Sequence, residues 1–331
     1  MTAVVAPKFH EPVMVNEVLH YLEPVATKGT VIDATVGGGG HARAIIERLA
    51  ALSRARSGQA ESAVRLLGID LDPDAVNVAR RTLSDFDCQV ADGNILENCK
   101  AAAESGPKPV VWLVHASYVD MARIVQCLGL LPVGAVLFDL GVSWFQLVAA
   151  HRGFAYDRNG PLDMRFDQTA ARPTAWGVLR RASEAQLREW LVRYGQEPMS
   201  GRIARCLYKR RREIATTQDL AAVVRSAVPV RRVRKTLSRV FMVLRMITNQ
   251  ELDNVRRGID AALHLVTPPG RVLVISYHSG EDRIAKELFR AGQQAGRVRV
   301  LTSRPVRPTM AEVLRNPRSR SARLRVAEVV I

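Results

Sequence analysis

The chain has 331 residues, enough for one large domain or two of ordinary size, and 47% of them are hydrophobic. The formal net charge of +16 favours a polyanionic partner such as nucleic acid, because Lys and Arg near phosphates release counterions. No run of about eighteen apolar residues predicts a membrane span, and the N-terminus lacks a signal-peptide pattern. The 4 cysteines form no C-x-x-C pair, which argues against structural zinc and predicts reduced thiols in a cytoplasmic protein without a membrane partner.

A glycine-rich loop follows the first predicted strand. The β-branched pair Val31–Ile32 reads as a buried strand, four consecutive glycines follow, and a helical pattern begins at Ala44. Glycine lets a ligand lie against the backbone, and the free N–H groups of a helix N-terminus point into the same space. Gly37, Gly39 and Ala42 fit the G-x-G-x-x-[G/A] template, so the loop predicts an adenosine-containing ligand without choosing among them.

Two acidic residues stand at the ends of predicted strands. The strand Val64–Leu71 ends near Asp70, a position from which a carboxylate accepts hydrogen bonds from ribose hydroxyls. The apolar strand within Gly134–Ser143 ends on Asp139. Since ligands of open α/β sheets bind outside the carboxyl ends of the strands, we expect both acids to face the crevice of the glycine loop. There Asp139 could accept a hydrogen bond or a proton from an exocyclic amine, or alternatively cap the next turn.

Two other side chains at strand ends have a functional and a structural interpretation. Tyr118 follows the predicted strand Val110–Val114, where its ring could stack on an adenine or pack in the core. His278 follows the predicted strand Gly270–Ser276, where it could act as a general base or stabilise a turn.

The middle of the chain has a helical pattern. Ser183 and Gln186 predict a capping box, and Thr217 is predicted to cap a later helix. The segment 151–165 is rich in Gly, Pro and charge and is interpreted as a lid or an RNA-facing loop. A dense basic stretch at 231–239 and a basic tail at 297–325 are candidates for phosphate contact.

The sheet pattern returns after this helical segment. A helix is predicted over Met242–Leu263 and a buried strand over Gly270–Ser276. The sequence therefore predicts an α/β core interrupted by an insertion, with a discontinuous core at 1–145 and 240–331 and a helical substrate domain at 146–239.

Motifs along the chain resemble those of the RsmH (MraW) methyltransferase family. They are HEPVMVNEV, DATVGGGGHA, GIDLDPDA, FDLGVSWFQL, RGFAYDRNGPLDMR, LRMITNQEL, GRVLVISYHSGEDR and NPRSRSARLR, in this order from about His10 to the C-terminus. The resemblance implies a class I (Rossmann-like) core that uses S-adenosylmethionine, with an inserted α-helical domain. It also implies N4-methylation of a cytosine in the decoding region of 16S ribosomal RNA in the small subunit.

The same resemblance assigns roles to particular residues. It implies that Gly39, Gly40 and His41 contact the methyl donor and that Asp70 binds its ribose. By the same comparison Tyr118 lies near the adenine, and Asp139 and Gln146 lie at the donor. This chemistry requires no metal, and the oligomeric state, monomer or homodimer, stays open.

The chain departs from the family pattern at three places. Trp144-Phe145 replaces Ser-Pro, Gly280 replaces Leu, and the segment 235–239 replaces His-Pro-Ala-Thr-Arg. Two alternatives therefore stand beside the methyltransferase: a non-catalytic RNA-binding or assembly factor, which the departures at Trp144 and at 235–239 favour, and an NAD-dependent oxidoreductase. The glycine loop permits the oxidoreductase, and the basic charge argues against it.

Overall fold

A computed structural model gives the fold and describes residues 12–25, 28–55, 65–91 and 110–331. The strands in these ranges are Thr30–Asp33 (β1), Leu66–Asp70 (β2), Cys88–Ala91 (β3), Val111–His115 (β4), Val133–Asp139 (β5), Val266–Ser276 (β6), Val298–Val300 (β7) and Arg323–Val329 (β8). The helices are Val15–Leu22 (α1), Gly40–Ala55 (α2), Pro73–Thr82 (α3), Met121–Leu128 (α4), Trp144–Val148 (α5), Ala175–Arg181 (α6), Glu184–Arg193 (α7), Ser200–Arg210 (α8), Thr217–Ala227 (α9), Val233–Asn249 (α10), Glu251–Leu265 (α11), Ser279–Gln294 (α12) and Met310–Arg315 (α13).

One sheet of eight strands organises the fold, in the order β3-β4-β2-β1-β5-β6-β8-β7. The pairs from β3 to β6 are parallel, and β8 is antiparallel to both β6 and β7. Strands β1 and β5 are buried along almost their whole length, as expected for parallel strands covered on both faces. The strand order reverses between β1 and β5, so the ligand crevice of such a sheet lies at the carboxyl ends of these two strands.

The chain divides into two compact units. The first comprises Met1–Gly141 and Asn254–Ile331 and contains the sheet, and the second is Val142–Asp253. The sequence-based boundary between 239 and 240 falls inside α10, because this helix buries Val240, Phe241 and Leu244 in the core of the second unit.

The second unit is helical and has its own apolar core. Side chains of α6 to α10 contribute to it, among them Leu179, Leu191, Leu207 and Val224. Helix α7 begins with the predicted capping box of Ser183 and Gln186. These contacts give the second unit a hydrophobic core of its own.

The helix predicted over Met242–Leu263 is wrong in its continuity. Helix α10 ends at Asn249 and α11 begins at Glu251, because Gln250 adopts a left-handed conformation with φ 53°. The cap of α9 also differs by one residue, since the Thr216 side chain accepts from the Asp219 N–H. The Thr217 hydroxyl instead donates to the carbonyl of Arg158 at 2.6 Å.

Segment 151–165, predicted as a lid or an RNA-facing loop, is partly internal to the second unit. The Arg152 side chain is 1% exposed and donates to the carbonyls of Arg165 and Phe166. The Arg165 guanidinium donates to both carboxylate oxygens of Asp163 at 2.8 Å. These buried and paired charges stabilise the fold of the segment.

The basic tail is also more structural than its composition predicts. Arg325 on β8 is 7% exposed and donates to Asp282 at 2.6 Å, while Arg299 pairs with the carboxylate of Glu328. These two arginines therefore join β7, β8 and α12. The prediction of phosphate contact is wrong for the buried Arg325, and it stays a prediction for Arg299, whose side chain is 66% exposed.

Two further observations concern the cysteines and the search for a membrane-spanning helix. Cys88 and Cys206 are free thiols, but Cys127 is disulfide-bonded, so the prediction of reduced thiols is wrong at Cys127. Within the described ranges, no helix combines the length and the apolar composition needed to cross a bilayer.

Candidate active site

The glycine loop joins β1 to α2 and turns with positive φ angles at Gly37 (51°) and Gly39 (82°). A Cβ on Gly39 would lie 3.2 Å from Ala79 Cα, so this glycine lets the loop pack against α3. A Cβ on Gly37 would have the Thr35 carbonyl oxygen, 3.8 Å away, as its only neighbour within 4 Å among the described residues. The open side of the loop therefore lies at Gly37, where a ligand can approach the backbone.

Gly40, the first residue of α2, faces the N-terminal segment. A Cβ there would lie 3.1 Å from the Pro12 ring. Gly39 and Gly40 therefore lack a side chain at positions where the neighbouring segments pack closely. Their predicted contact with the methyl donor stays a prediction.

Asp70 stands at the end of β2, as predicted, and ties the loop to the sheet. Its Oδ2 accepts the Gly37 N–H at 2.8 Å and its Oδ1 accepts the Asp72 N–H at 2.9 Å. Burial raises the pKa of Asp70 to about 6, and these two hydrogen bonds oppose the rise. Each oxygen retains a lone pair, so the carboxylate can hold the loop and still accept ligand hydroxyls.

Asp33 at the end of β1 is a second buried acid, and the sequence analysis did not identify it. Its Oδ1 accepts the Thr35 N–H at 3.2 Å. Its Oδ2 is buried and accepts no hydrogen bond from any described residue. Burial raises the pKa of Asp33 to about 7, and the His41 charge opposes the rise. A buried acceptor without a donor is the feature that a bound donor group would satisfy.

Asp139 ends β5, and neighbouring residues contact both its backbone and its carboxylate. Its backbone N–H donates to the Thr35 hydroxyl at 2.7 Å, which links β5 to the loop after β1. The Tyr277 hydroxyl donates to Asp139 Oδ1 at 2.8 Å. Asp139 Oδ2 lies 3.5 Å from His41 Nδ1. The carboxylate therefore has a fixed orientation at the carboxyl edge of the sheet.

His41, the second residue of α2, is almost completely buried with 6% of its side chain exposed. Its Nε2 lies 2.8 Å from the carbonyl oxygen of Val13 in the N-terminal segment. The ring thus connects this segment to Asp139.

Tyr118 lies beyond β4 and packs against two neighbours in the first unit. Its ring meets Phe138 edge to face with centroids 5.5 Å apart. It also lies so close to Gly258 of α11 that a Cβ there would come within 2.5 Å of the ring. The ring is therefore positioned by packing, and its contact with an adenine stays a prediction.

The remaining predicted residues have capping roles within their own units. Gln146 belongs to the second unit, where it closes a capping box with Ser143 at the start of α5. His278 N-caps α12, its ring accepting the Glu281 N–H at 3.4 Å, so the turn-stabilising interpretation accounts for its geometry. Contact of Gln146 with the donor stays a prediction.

These residues suit S-adenosylmethionine, whose sulfonium and ammonium groups are cationic. Carboxylates of Asp33, Asp70 and Asp139 stand at the ends of β1, β2 and β5, and Asp33 offers an acceptor without a donor. The open backbone at Gly37 lies beside the Asp70 carboxylate. The sheet is largely parallel, has one antiparallel strand beside its β7 edge, and carries a ligand loop after β1. This is the core of a class I S-adenosylmethionine-dependent methyltransferase.

Comparison with known proteins gives the family. The chain belongs to the MraW methylase family, whose model matches residues 7–330. It is 41% identical to ribosomal RNA small subunit methyltransferase H of Thermomicrobium roseum, over 96% of this chain and 93% of the relative. It is 40% identical to the enzyme of the same name from Thermotoga neapolitana, over 97% and 96% of the two chains. The methyl donor is S-adenosylmethionine, and the oxidoreductase alternative is not retained.

A solved rRNA methylase from Streptococcus thermophilus is a more distant match. It aligns over 96% of each chain at 11% identity with a TM-score of 0.42.

Sequence reasoning missed Asp33, Thr35 and Tyr277 as members of the site. Asp33 and Tyr277 each stand where a strand ends, the signal that identified Asp70 and Asp139. Applying that signal to every parallel strand would have found both residues. The Thr35 contact with Asp139 spans 104 positions in the chain and has no sequence pattern.

Proposed function

We propose that the protein transfers a methyl group from S-adenosylmethionine to N4 of a cytosine in the decoding region of 16S ribosomal RNA, in the cytoplasm. The observation that supports this chemistry is the carboxylate of Asp139 at the carboxyl end of β5, in contact with Tyr277 and His41. The family and the names of its relatives support the ribosomal substrate.

For this reaction the protein must align the methyl donor with cytosine N4 and remove one proton from that nitrogen. The sulfonium of the donor supplies an electrophilic methyl group. The lone pair of cytosine N4 is delocalised into the ring, so a carboxylate that accepts an N4 hydrogen makes the nitrogen more nucleophilic. Asp139 takes this role, with its orientation set before substrate arrives, because preorganised acceptors need no rearrangement during the reaction.

The target base must be accessible to this carboxylate. N4 of a paired cytosine is occupied in hydrogen bonding, so the cytosine must be unpaired or extruded from its helix. Cationic side chains that hold the RNA phosphates supply binding energy for this distortion.

The test is transfer of labelled methyl from S-adenosylmethionine to small ribosomal subunits that lack the modification, followed by nucleoside digestion. Labelled N4-methylcytosine is the expected product. We expect Asp139→Asn to lower the rate about 100-fold, the usual scale for loss of a proton acceptor. Donor binding without transfer to any ribosomal substrate would instead favour the non-catalytic RNA-binding or assembly factor.

A further inference from the structure

The position of His41 fixes which of its ring nitrogens carries a proton. Nε2 lies 2.8 Å from the Val13 carbonyl oxygen, and a carbonyl can only accept a hydrogen bond. Nε2 therefore carries the hydrogen, and in the neutral ring Nδ1 is bare. This bare nitrogen lies 3.5 Å from Asp139 Oδ2. In this neutral form a basic lone pair faces a carboxylate, with no proton between them.

That arrangement offers a place for a single proton between the two groups. Two lone pairs that face each other repel, whereas one proton on Nδ1 converts the pair into an imidazolium and a carboxylate joined by a charge-assisted hydrogen bond. A separation of 3.5 Å is too long for a strong hydrogen bond, so we expect the pair to close when Nδ1 is protonated.

The other neighbours of Asp139 cannot take this proton. The Tyr277 hydroxyl donates to Oδ1 at 2.8 Å, and burial together with the Asp139 charge holds the pKa of Tyr277 well above its usual range. The Thr35 hydroxyl accepts from the backbone N–H of Asp139 rather than facing its carboxylate. Among the described contacts of Asp139, His41 Nδ1 is the group with an available basic lone pair.

We propose that His41, acting through Asp139, is the final acceptor of the proton released by methyl transfer. The inference rests on the proposed function. As the N–CH₃ bond forms and the S–CH₃ bond breaks, the amine nitrogen gains a positive charge and loses one proton to Asp139 Oδ2. The proton passes to His41 Nδ1, which leaves a neutral methylated amine, a carboxylate and an imidazolium. The imidazolium returns the proton to water after the product leaves.

Several charged groups around His41 act on this step. Asp33 and Asp139 both lie near the ring, and the His41 charge acts to lower the pKa of Asp33. The Glu312 carboxylate accepts the Met14 N–H at 2.7 Å, next to the carbonyl that holds Nε2. Asp70 lies farther away and interacts with Asp33. All these groups are acidic, and the ring itself is buried, with 6% of its side chain exposed.

Two substitutions separate the functions of the two nitrogens. In His41→Gln the side-chain amide can still donate to the Val13 carbonyl but nothing replaces the basic Nδ1. In His41→Asn the amide can still donate to Asp139 but the tie to Val13 is lost. Neither amide accepts a proton, so both variants lose the acceptor while each keeps one of the two contacts.

The first readout is the single-turnover rate of methyl transfer as a function of pH, with donor affinity measured on the same samples. We expect both variants to lose about 100-fold in rate near pH 7. In wild-type protein the rate should fall at acid pH as the pair fills with a proton, and in both variants this fall should move to lower pH. A variant that keeps the wild-type acid limb would overturn the proposal.

The second readout does not require activity. Nitrogen NMR of the donor-free protein, with labelled histidine, should show Nε2–H as the neutral form of His41 and a second proton on Nδ1 at lower pH. In Asp139→Asn the imidazolium fraction at a given pH should drop. A neutral form with the hydrogen on Nδ1, or an imidazolium fraction unchanged in Asp139→Asn, would contradict the inference. If the wild-type protein methylates nothing, the proposed function fails, while this measurement still decides whether the pair shares a proton.

Discussion

Asp33 is a carboxyl group whose ionisation the fold opposes. It is 1% exposed at the end of β1, and burial is the main cause of its pKa of about 7. The ordinary value is 3.8. The native state therefore holds a proton that the unfolded chain releases between these two pH values. As a result, the contribution of Asp33 to the free energy of unfolding falls as pH rises from about 4 to about 7.

We predict that Asp33→Asn removes this pH dependence. The amide oxygen can still accept the Thr35 N–H, so the local turn persists. Near pH 4 the variant should match wild-type stability, and at pH 8 it should be more stable by up to about 4 kcal/mol, from about three pKa units at about 1.4 kcal/mol each. Denaturant unfolding at several pH values measures the difference.

The exposed Asp157→Asn is the matched control, because it removes a surface carboxylate of the second unit. It should leave the difference from wild type close to zero at every pH. An Asp33→Asn protein that is no more stable than wild type at pH 8 would show that the native state compensates the buried charge.

At the scale of elements, Gly258 sets how closely α11 approaches the Tyr118 ring. A Cβ at this position would lie 2.5 and 2.6 Å from two ring atoms of Tyr118 and 3.3 Å from Phe138. The Tyr118 ring cannot move away from such a Cβ without losing its edge-to-face contact with Phe138. Gly258 is thus the residue on α11 that allows the helix and the aromatic pair to occupy one layer.

We predict that Gly258→Ala destabilises the protein by about 1–2 kcal/mol. Overpacking of a filled site costs about 1–3 kcal/mol, and the better helix propensity of Ala returns up to about 1 kcal/mol. If Tyr118 contacts the donor adenine, affinity for S-adenosylhomocysteine should also fall. Thermal unfolding and calorimetric titration measure the two effects.

Gly201→Ala in α8 provides the control for helix propensity alone. A Cβ there has only an ordinary contact, 3.9 Å from Arg188 Nε. This variant should be neutral or slightly stabilised and bind the donor product as wild type. Equal behaviour of the two variants would refute the packing argument.

The main elements of the sheet could be predicted from the sequence because buried parallel strands are continuous apolar runs. This pattern located β2, β4 and β5, and the rule for carboxyl ends then placed Asp70 and Asp139. Helix breaks were harder, because the left-handed residue between α10 and α11 is Gln250 rather than Gly.

Contacts between distant segments could not be predicted. Tyr277 and Asp139 are 138 positions apart, and His41 and Val13 are 28 apart. Such hydrogen bonds depend on side-chain directions that no local pattern encodes. The ion pair of Arg299 could not be predicted for a similar reason, since its acid, Glu328, lies beyond the basic tail at 297–325.

At the scale of the whole molecule, the positive charge is unevenly distributed. From Leu220 to Gln250 the sequence contains 7 Lys and Arg residues and no Asp or Glu. Two of the seven are neutralised within the second unit: Arg239 pairs with Glu197 at 3.2 Å and Arg245 pairs with Glu251 at 2.7 Å. The other five are exposed and have no ion pair among the described residues: Arg225, Arg231, Arg232, Arg234 and Lys235.

Four of these cations lie together around the start of α10. Arg231 and Arg232 are in the short turn before the helix and Arg234 and Lys235 in its first turn, beside the 91% exposed Val230. Cations at a helix N-terminus oppose the helix dipole, so their accumulation here does not serve the stability of α10. We therefore expect these side chains to contact RNA phosphates, which would make binding dependent on salt.

We predict that replacing these four cations with Gln weakens binding to small-subunit RNA and flattens its salt dependence. The slope of log K against log salt should shrink by about 0.7–0.9 for each cation that contacts a phosphate, hence by about 3 if all four do. The control variant replaces four exposed arginines of the first unit, Arg80, Arg81, Arg123 and Arg290, and so changes the net charge equally. If both variants lower affinity to the same extent, the effect comes from net charge alone. A larger loss of slope in the α10 variant, with unchanged affinity for S-adenosylhomocysteine, would place the phosphate contacts on the second unit.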